Sequence, residues 1–271
     1  MSPSRAGTAT RVSRDDGYGR STRLYETPDG GRYPSVTSIL QAVNKPALVN
    51  WAAKTEREMV VRAAGDLWDD LPVTTPKMSR MAYLATLDKR IGSAKAHTKL
   101  LAKASDIGSE AHALIEWTLR SELKQAVGPK PTISEKALWA FMAWEDWRKE
   151  TNLVPLAVEQ TVWSSKHGYA GTMDLYCELD LPTGGRGRVI TDWKTGKAIY
   201  GESSLQNAAY VEAMIEMGHA ERPVAGLVVR LPKVDTDPEF ETKFIPYEDQ
   251  APLLKVFLHV LELWKWMDAS R

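Results

Sequence analysis

The sequence predicts an α/β fold, with a mixed central β-sheet flanked by helices and a helical elaboration N-terminal to it. Three observations carry this. Apolar runs with the strand period of two recur in the second half of the chain, near 156–164, 170–180, 188–195, 223–231 and 240–245. A helix-period segment, 203–217, interrupts those strands, and another, 248–268, closes them. The stretch from about 35 to 150 reads almost wholly as helix. Helices followed by strands, a helix and further strands give one sheet covered by helices.

In chain order, residues 1 to about 20 are rich in Arg, Ser, Thr, Gly and Asp without an apolar period, and are expected to be disordered. Residues 35–65 read as helix, interrupted at Pro46 because proline has no N–H for the helix ladder. The Pro/Thr stretch Leu71–Pro76 makes a loop, and helices follow to about Leu123. Gly128-Pro-Lys-Pro131 punctuates the chain again. Thr132-Ile-Ser-Glu135 has the spacing of a capping box and opens a helix through Trp139, Met142, Trp147 and Glu150. Those tryptophans could stack bases, but their helical spacing favours the core.

The chemistry-bearing residues lie in the strands. In Val189-Ile-Thr-Asp192-Trp193-Lys194 the period of two puts Asp192 and Lys194 on one face and Trp193 on the other. A carboxylate and an ammonium together at a strand end can bind a hard cation and stabilise developing negative charge, the needs of phosphodiester hydrolysis. Asp-x-Lys alone is a weak signal, expected by chance roughly once in a chain of this length. Its bland counterpart is a surface ion pair worth about 0–1 kcal/mol. The neighbours strengthen it. Gly171-Thr-Met-Asp174 places a second acid among Met173, Leu175, Tyr176 and Cys177. An acid in an apolar strand must be paired, hydrogen-bonded or metal-bound.

Two helices extend the constellation. Gln206 and Tyr210, four apart, share a face of the 203–217 segment. Upstream, Ala111, Leu114, Ile115, Thr118 and Leu119 form an apolar stripe, flanked by His112 and Glu116. Taken singly, His112 reads as a half-buried structural histidine sooner than as a ligand, and Gln206 and Tyr210 as ordinary amphipathic-helix residues.

Gly108-Ser-Glu-Ala-His112, Gly171-Thr-Met-Asp174, Asp192-Trp-Lys194 and Gln206-Asn-Ala-Ala-Tyr210 stand in the order of the G-x-x-x-H, G-x-x-D, D-x-K and Q-x-x-x-Y motifs. In this the chain resembles the RecB-like exonuclease branch of the PD-(D/E)XK nuclease superfamily. Pro34-Ser-Val-Thr-Ser-Ile-Leu40 and Leu48-Val-Asn-Trp51 are similar to the opening of the phage and mitochondrial genome maintenance exonucleases within that branch. The resemblance covers roughly residues 33–260. It implies a restriction-endonuclease-like core in a single domain over 21–271, mainly helical over 21–150 and sheet-containing over 151–271. It further implies a helical wall or arch over the cleft. Asp174, Asp192, the backbone carbonyl of Trp193 and His112 would hold Mg²⁺ or Mn²⁺, with Lys194 orienting the attacking water. Gln206 and Tyr210 would fix Lys194 or the substrate phosphate. Glu159, on a neighbouring strand, and Glu116 read either as outer supports of the site or as structural ion-pair members. The one departure is cysteine: many relatives hold an iron–sulfur cluster with four, and this chain has only Cys177, so no cluster is expected.

Composition bounds the rest. A chain of 271 residues, 43% hydrophobic and 26% charged, can bury a sizeable core. A single cysteine excludes an internal disulfide and agrees with a reducing compartment. No apolar run approaches membrane-helix length and no signal peptide is evident, so a cytoplasmic location is expected. Net charge is zero, which by itself speaks mildly against a phosphate-backbone partner. Distribution speaks the other way. Lys95, Lys99 and Lys103 recur every four residues as a basic stripe, which is either a solvated face or a track for DNA. Six arginines precede residue 33 and could add non-specific phosphate affinity.

The function expected is a metal-dependent DNA exonuclease of replication, recombination or repair, of the phage-encoded kind. Its substrate would be single-stranded DNA or end-processed duplex, with a recombination or single-strand-binding protein as a further partner. A structure-specific endonuclease of the same fold and a non-catalytic DNA-end-binding subunit stand as alternatives.

Overall fold

The computed structural model describes residues 9–15, 21–43, 46–71, 78–93, 95–220, 222, 224–233 and 239–270. The chain divides into two compact units, Asn44–Asp106 and the remainder, Met1–Val43 with Ile107–Arg271.

In the larger unit a five-stranded sheet has the order β4-β5-β6-β7-β8, formed by Val154–Ser164, Tyr169–Asp180, Arg186–Thr195, Ala225–Leu231 and Glu241–Ile245. β6 and β7 are parallel and the other pairs antiparallel, so the sheet is mixed, as the sequence predicts. The parallel pair is joined through α6 (Gly201–Glu216), the crossover that parallel strands require. One face of the sheet is covered by α5 (Glu135–Glu150) and the half of α4 (Ala96–Glu122) that belongs to this unit, through Ala111, Ile115, Leu119, Trp144 and Trp147. The other face is covered by α1 (Val36–Leu40), α6 and α7 (Tyr247–Ala269), through Ile39, Ala209, Met214, Phe257 and Leu261. β7 is buried along its whole length, as a strand covered on both faces must be.

Three expectations need correction. Residues Thr10–Asp15, within the segment expected to be disordered, form β1 of a separate antiparallel sheet with β2 (Ser21–Glu26) and β3 (Arg32–Pro34). β1 carries little apolar content of its own; it is held by its ladder to β2, whose Leu24 and Tyr25 are buried. The rest of that expectation, residues 1–8 and 16–20, lies outside the described residues. The N-cap of α5 is Ser134 and not Thr132: the Ser134 hydroxyl accepts from the N–H of Ala137 and donates to Glu110. Finally, Trp139 is 37% exposed, whereas Trp147, together with Trp144, which the pattern missed, is fully packed.

Among the described residues the other boundaries agree within a few residues, whereas the expected loop Leu71–Pro76 lies, apart from Leu71, outside the described residues. α2 (Pro46–Asp69) begins at the predicted break, with proline in its first turn where no N–H is needed. In the smaller unit α2 pairs with α3 (Arg80–Ile91), and Glu56 accepts from the backbone N–H of His97 while meeting its Nδ1 at 2.6 Å.

Candidate functional site

β6 delivers two polar side chains into an apolar setting. Trp193 packs edge-on against Trp144 and Trp147 on one face, and strand alternation turns Asp192 and Lys194 to the other. There Lys194 Nζ meets Asp192 Oδ2 at 2.6 Å and donates to Gln206 Oε1 at 3.1 Å. Gln206 Nε2 donates to Asp192 Oδ1 at 2.8 Å and contacts the Tyr210 hydroxyl at 3.2 Å. A closed Asp192–Lys194–Gln206 ring results, backed by Tyr210. Gln206 serves it because an amide donates and accepts at once.

Electrostatics set the protonation states. Asp192 is 1% exposed; burial pushes its carboxyl up to about 6, with the Lys194 charge pulling the other way. Burial also opposes charge on Lys194, but Asp192 and Asp174 outweigh it, and the ammonium is held above its ordinary value. Burial, with Asp192 and Asp174, keeps the Tyr210 phenol neutral. Lys194 is therefore a fixed cation and not a proton acceptor.

Asp174 stands where β5 and β6 part. The ladder between them ends at Leu175 opposite Thr191, and beyond it Asp174 Oδ2 accepts the backbone N–H of Trp193 at 2.8 Å. The same oxygen lies 3.8 Å from His112 Nδ1 on α4. Ligand atoms of His112, Glu159 and Asp174 all fall within 4.8 Å of one another. Burial, then the charges of Asp174 and Glu116, push the Glu159 carboxyl up to about 8. A carboxyl held neutral among other acids gains its counter-charge once a cation arrives.

Two glycines of the motifs explain themselves as spacers. A Cβ on Gly171 would lie 2.5 Å from the Tyr210 ring, and one on Gly108 would lie 2.5 Å from Thr195 Oγ1. Gly171 thus admits Tyr210 against β5. Gly108 lets α4 lie against the end of β6, one helical turn before His112.

Of the sequence-predicted residues, His112, Asp174, Asp192, Trp193, Lys194, Gln206 and Tyr210 are joined by these contacts. A Glu159 carboxylate oxygen lies within 4.8 Å of ligand atoms of His112 and Asp174, while Glu116 pairs with Arg120 at 2.7 Å. Lys95, Lys99 and Lys103 are exposed and belong to the smaller unit. Sequence reasoning missed Tyr25, whose hydroxyl lies 3.0 Å from Thr172 Oγ1, next to Asp174's strand neighbour Met173. It also missed Arg230, buried beside Lys194 in the β6–β7 register. Arg230 donates to the carbonyls of Gly196 and Glu239 and to Glu241. An arginine inside the apolar run of β7 was the available signal.

No family model and no curated protein matches the chain. A solved structure described as "Crystal structure of SSO0001" is similar over 78% of this chain and 85% of that chain, at 10% identity and a TM-score of 0.28. No helix among the described residues is long and apolar enough to cross a membrane.

Proposed function

We propose that the chain is a metal-dependent deoxyribonuclease of exonuclease type on the PD-(D/E)XK plan. The observation that carries the reading is a histidine–carboxylate group at metal-ligating spacing, joined through Asp174 and Trp193 to a buried carboxylate–lysine pair that Gln206 holds in place. The donor set suits the ion. Carboxylate and carbonyl oxygens favour Mg²⁺ or Mn²⁺, and one imidazole inclines the choice to Mn²⁺. His112, Asp174, Asp192 and the Trp193 carbonyl would hold it. Asp192 Oδ2 meets Lys194 at 2.6 Å, and a carboxylate oxygen keeps a further lone pair for a cation.

When bound, the ion acidifies a water and polarises a phosphoryl oxygen. The chain's own residues do the rest. Lys194, fixed as a cation, orients the attacking water and offsets the negative charge that grows on the phosphorus-centred transition state. Gln206 holds Lys194 and Asp192 at a set separation, and Tyr210 holds Gln206. Preorganisation of this kind lowers the barrier because no dipole needs to turn at the moment of reaction.

On this reading the substrate is single-stranded DNA or an end-processed duplex, the setting is cytoplasmic, and the work is replication, recombination or repair. The exposed Lys95, Lys99 and Lys103 are proposed to track phosphates, alongside a recombination or single-strand-binding protein.

Linear DNA labelled at its 5′ or 3′ end, and circular single-stranded DNA, are the substrates to test with Mg²⁺, Mn²⁺ and EDTA. The expected result is metal-dependent loss of the linear substrates, silenced by EDTA, with circles spared. Full activity in EDTA would refute the metal mechanism. Cleaved circles would assign an endonuclease, and end-binding without hydrolysis a non-catalytic subunit.

A further inference from the structure

Strands β4 and β5 exchange faces at the site. Val158 and its register partner Leu175 belong to the core beneath α4 and α5, whereas Val162 and Met173 belong to the core beneath α6 and α7. Residues an even number apart on a regular strand share a face. Neither Val158 and Val162 nor Leu175 and Met173 would be divided between two cores without an inversion of the chain.

In β4 the inversion falls at Glu159, opposite the β5 change between Met173 and Leu175. The φ of Glu159 is +46°, in the left-handed region that a glutamate rarely adopts. The other non-glycine residues of positive φ among those described, Lys124 and Asn152, follow helix ends, while Glu159 lies inside a strand. Pairing runs from Val158–Leu175 to Gln160–Met173, passing over Glu159 and Asp174. In regular alternation the side chain at 159 would point opposite to Val158, away from the face that α4 covers. In the observed backbone its carboxylate instead meets His112, which α4 carries, and Asp174. A strained backbone persists only where its surroundings hold it, and such strain collects at ligand sites.

We infer that Glu159 is a direct ligand of the divalent cation, delivered to it by this inverted backbone. The inference rests on the metal reading above and adds a ligand outside the set that the resemblance implies. It divides the site by element: β4 supplies Glu159, β5 Asp174, β6 Asp192 and the Trp193 carbonyl, and α4 His112.

Calorimetric titration with Mn²⁺ of the full chain and three variants tests it. Glu159→Gln and Glu159→Gly should each bind Mn²⁺ at least about 100-fold more weakly, beyond the roughly 10- to 100-fold that a group supporting a ligand contributes. Glu116→Gln, which removes a neighbouring charge but no ligand, should bind nearly as tightly as the wild type. Without metal, Glu159→Gly should melt no lower than the wild type, since glycine adopts positive φ freely. Unchanged Mn²⁺ affinity in folded Glu159→Gln would overturn the inference and leave the metal reading standing. An equal loss in Glu116→Gln would assign the effect to the field of charges and overturn it too. A Glu159→Gly protein that melted far lower would refute the strained-delivery argument. A wild type that binds no Mn²⁺ would defeat the metal reading itself.

Discussion

Glu159→Gln should make the metal-free protein more stable at neutral pH, by an amount that grows as pH rises. In the folded protein burial and the neighbouring charges of Asp174 and Glu116 raise the Glu159 carboxyl from 4.5 to about 8. Between those two values the folded state binds the proton more tightly than the unfolded state does. Stability therefore falls as pH rises, at up to about 1.4 kcal/mol per pH unit. From 4.5 to neutral pH the ceiling is about 3 kcal/mol, by the same factor. Glu159 is partly exposed and shares its charge with Asp174, so roughly 1–2 kcal/mol is the working figure. For a protein of this size that corresponds to about 2–8 °C in melting temperature. Glutamine keeps the shape and removes the titration. Melting curves of both proteins in EDTA, from pH 5 to pH 8, should nearly coincide at the acid end and separate progressively above it, with the variant higher. Parallel curves across that range would refute the reasoning, because they would mean that Glu159 titrates alike in the folded and unfolded chains.

Asp192→Ala and Lys194→Ala should each lower turnover by at least about 10²–10³-fold, the scale for one preorganised charge. Mn²⁺ titration should show weakened binding only for Asp192→Ala; the reverse pattern would exchange the ligand and charge-stabilising roles. Asp174→Asn keeps an acceptor for the Trp193 N–H, so it should fold while losing Mn²⁺ affinity, and retained affinity would make Asp174 a purely structural cap. Gly171→Ala should destabilise by about 1–3 kcal/mol, since its methyl would lie 2.5 Å from the Tyr210 ring; an unchanged melting temperature would show that the ring yields freely. Burial pushes the Cys177 thiol up to about 12, so it should resist alkylation until the protein unfolds. Cys177→Ser should retain activity, and iron in stoichiometric amount in the wild type would overturn the expectation that no cluster is held.

The sheet was legible because its strands bury one or both faces, and burial writes itself into the sequence as period two or as an unbroken apolar run. Ala225–Leu231 is the clear case, with every residue buried. β1 was not legible, because a strand held by its neighbour's ladder needs little apolar content of its own. The same limit applies to α5. Trp144 and Trp139 are chemically alike, and only the partner surface, Trp193 on β6, decides which is buried. At the site, Asp192, Lys194, Gln206 and Tyr210 could be grouped because strand and helix periods place them on shared faces. Glu159 could not be ranked, because its position depends on a backbone dihedral that no side-chain pattern records.

That dihedral belongs to a wider cause. β6 keeps its parallel pairing with β7 as far as Thr195 opposite Leu231, while its antiparallel pairing with β5 stops at Thr191. β6 therefore runs on with one edge open, and the N–H of Trp193 on that edge needs an acceptor. The acceptor is a carboxylate, Asp174, held by a strand whose face has just inverted. The group that satisfies the exposed N–H is thus charged. A neutral acceptor would close the ladder equally well, whereas a carboxylate closes it and leaves a second oxygen for a cation. On the proposed reading, the place where the sheet comes apart is thus also the place where a hard ion would be held beside Lys194.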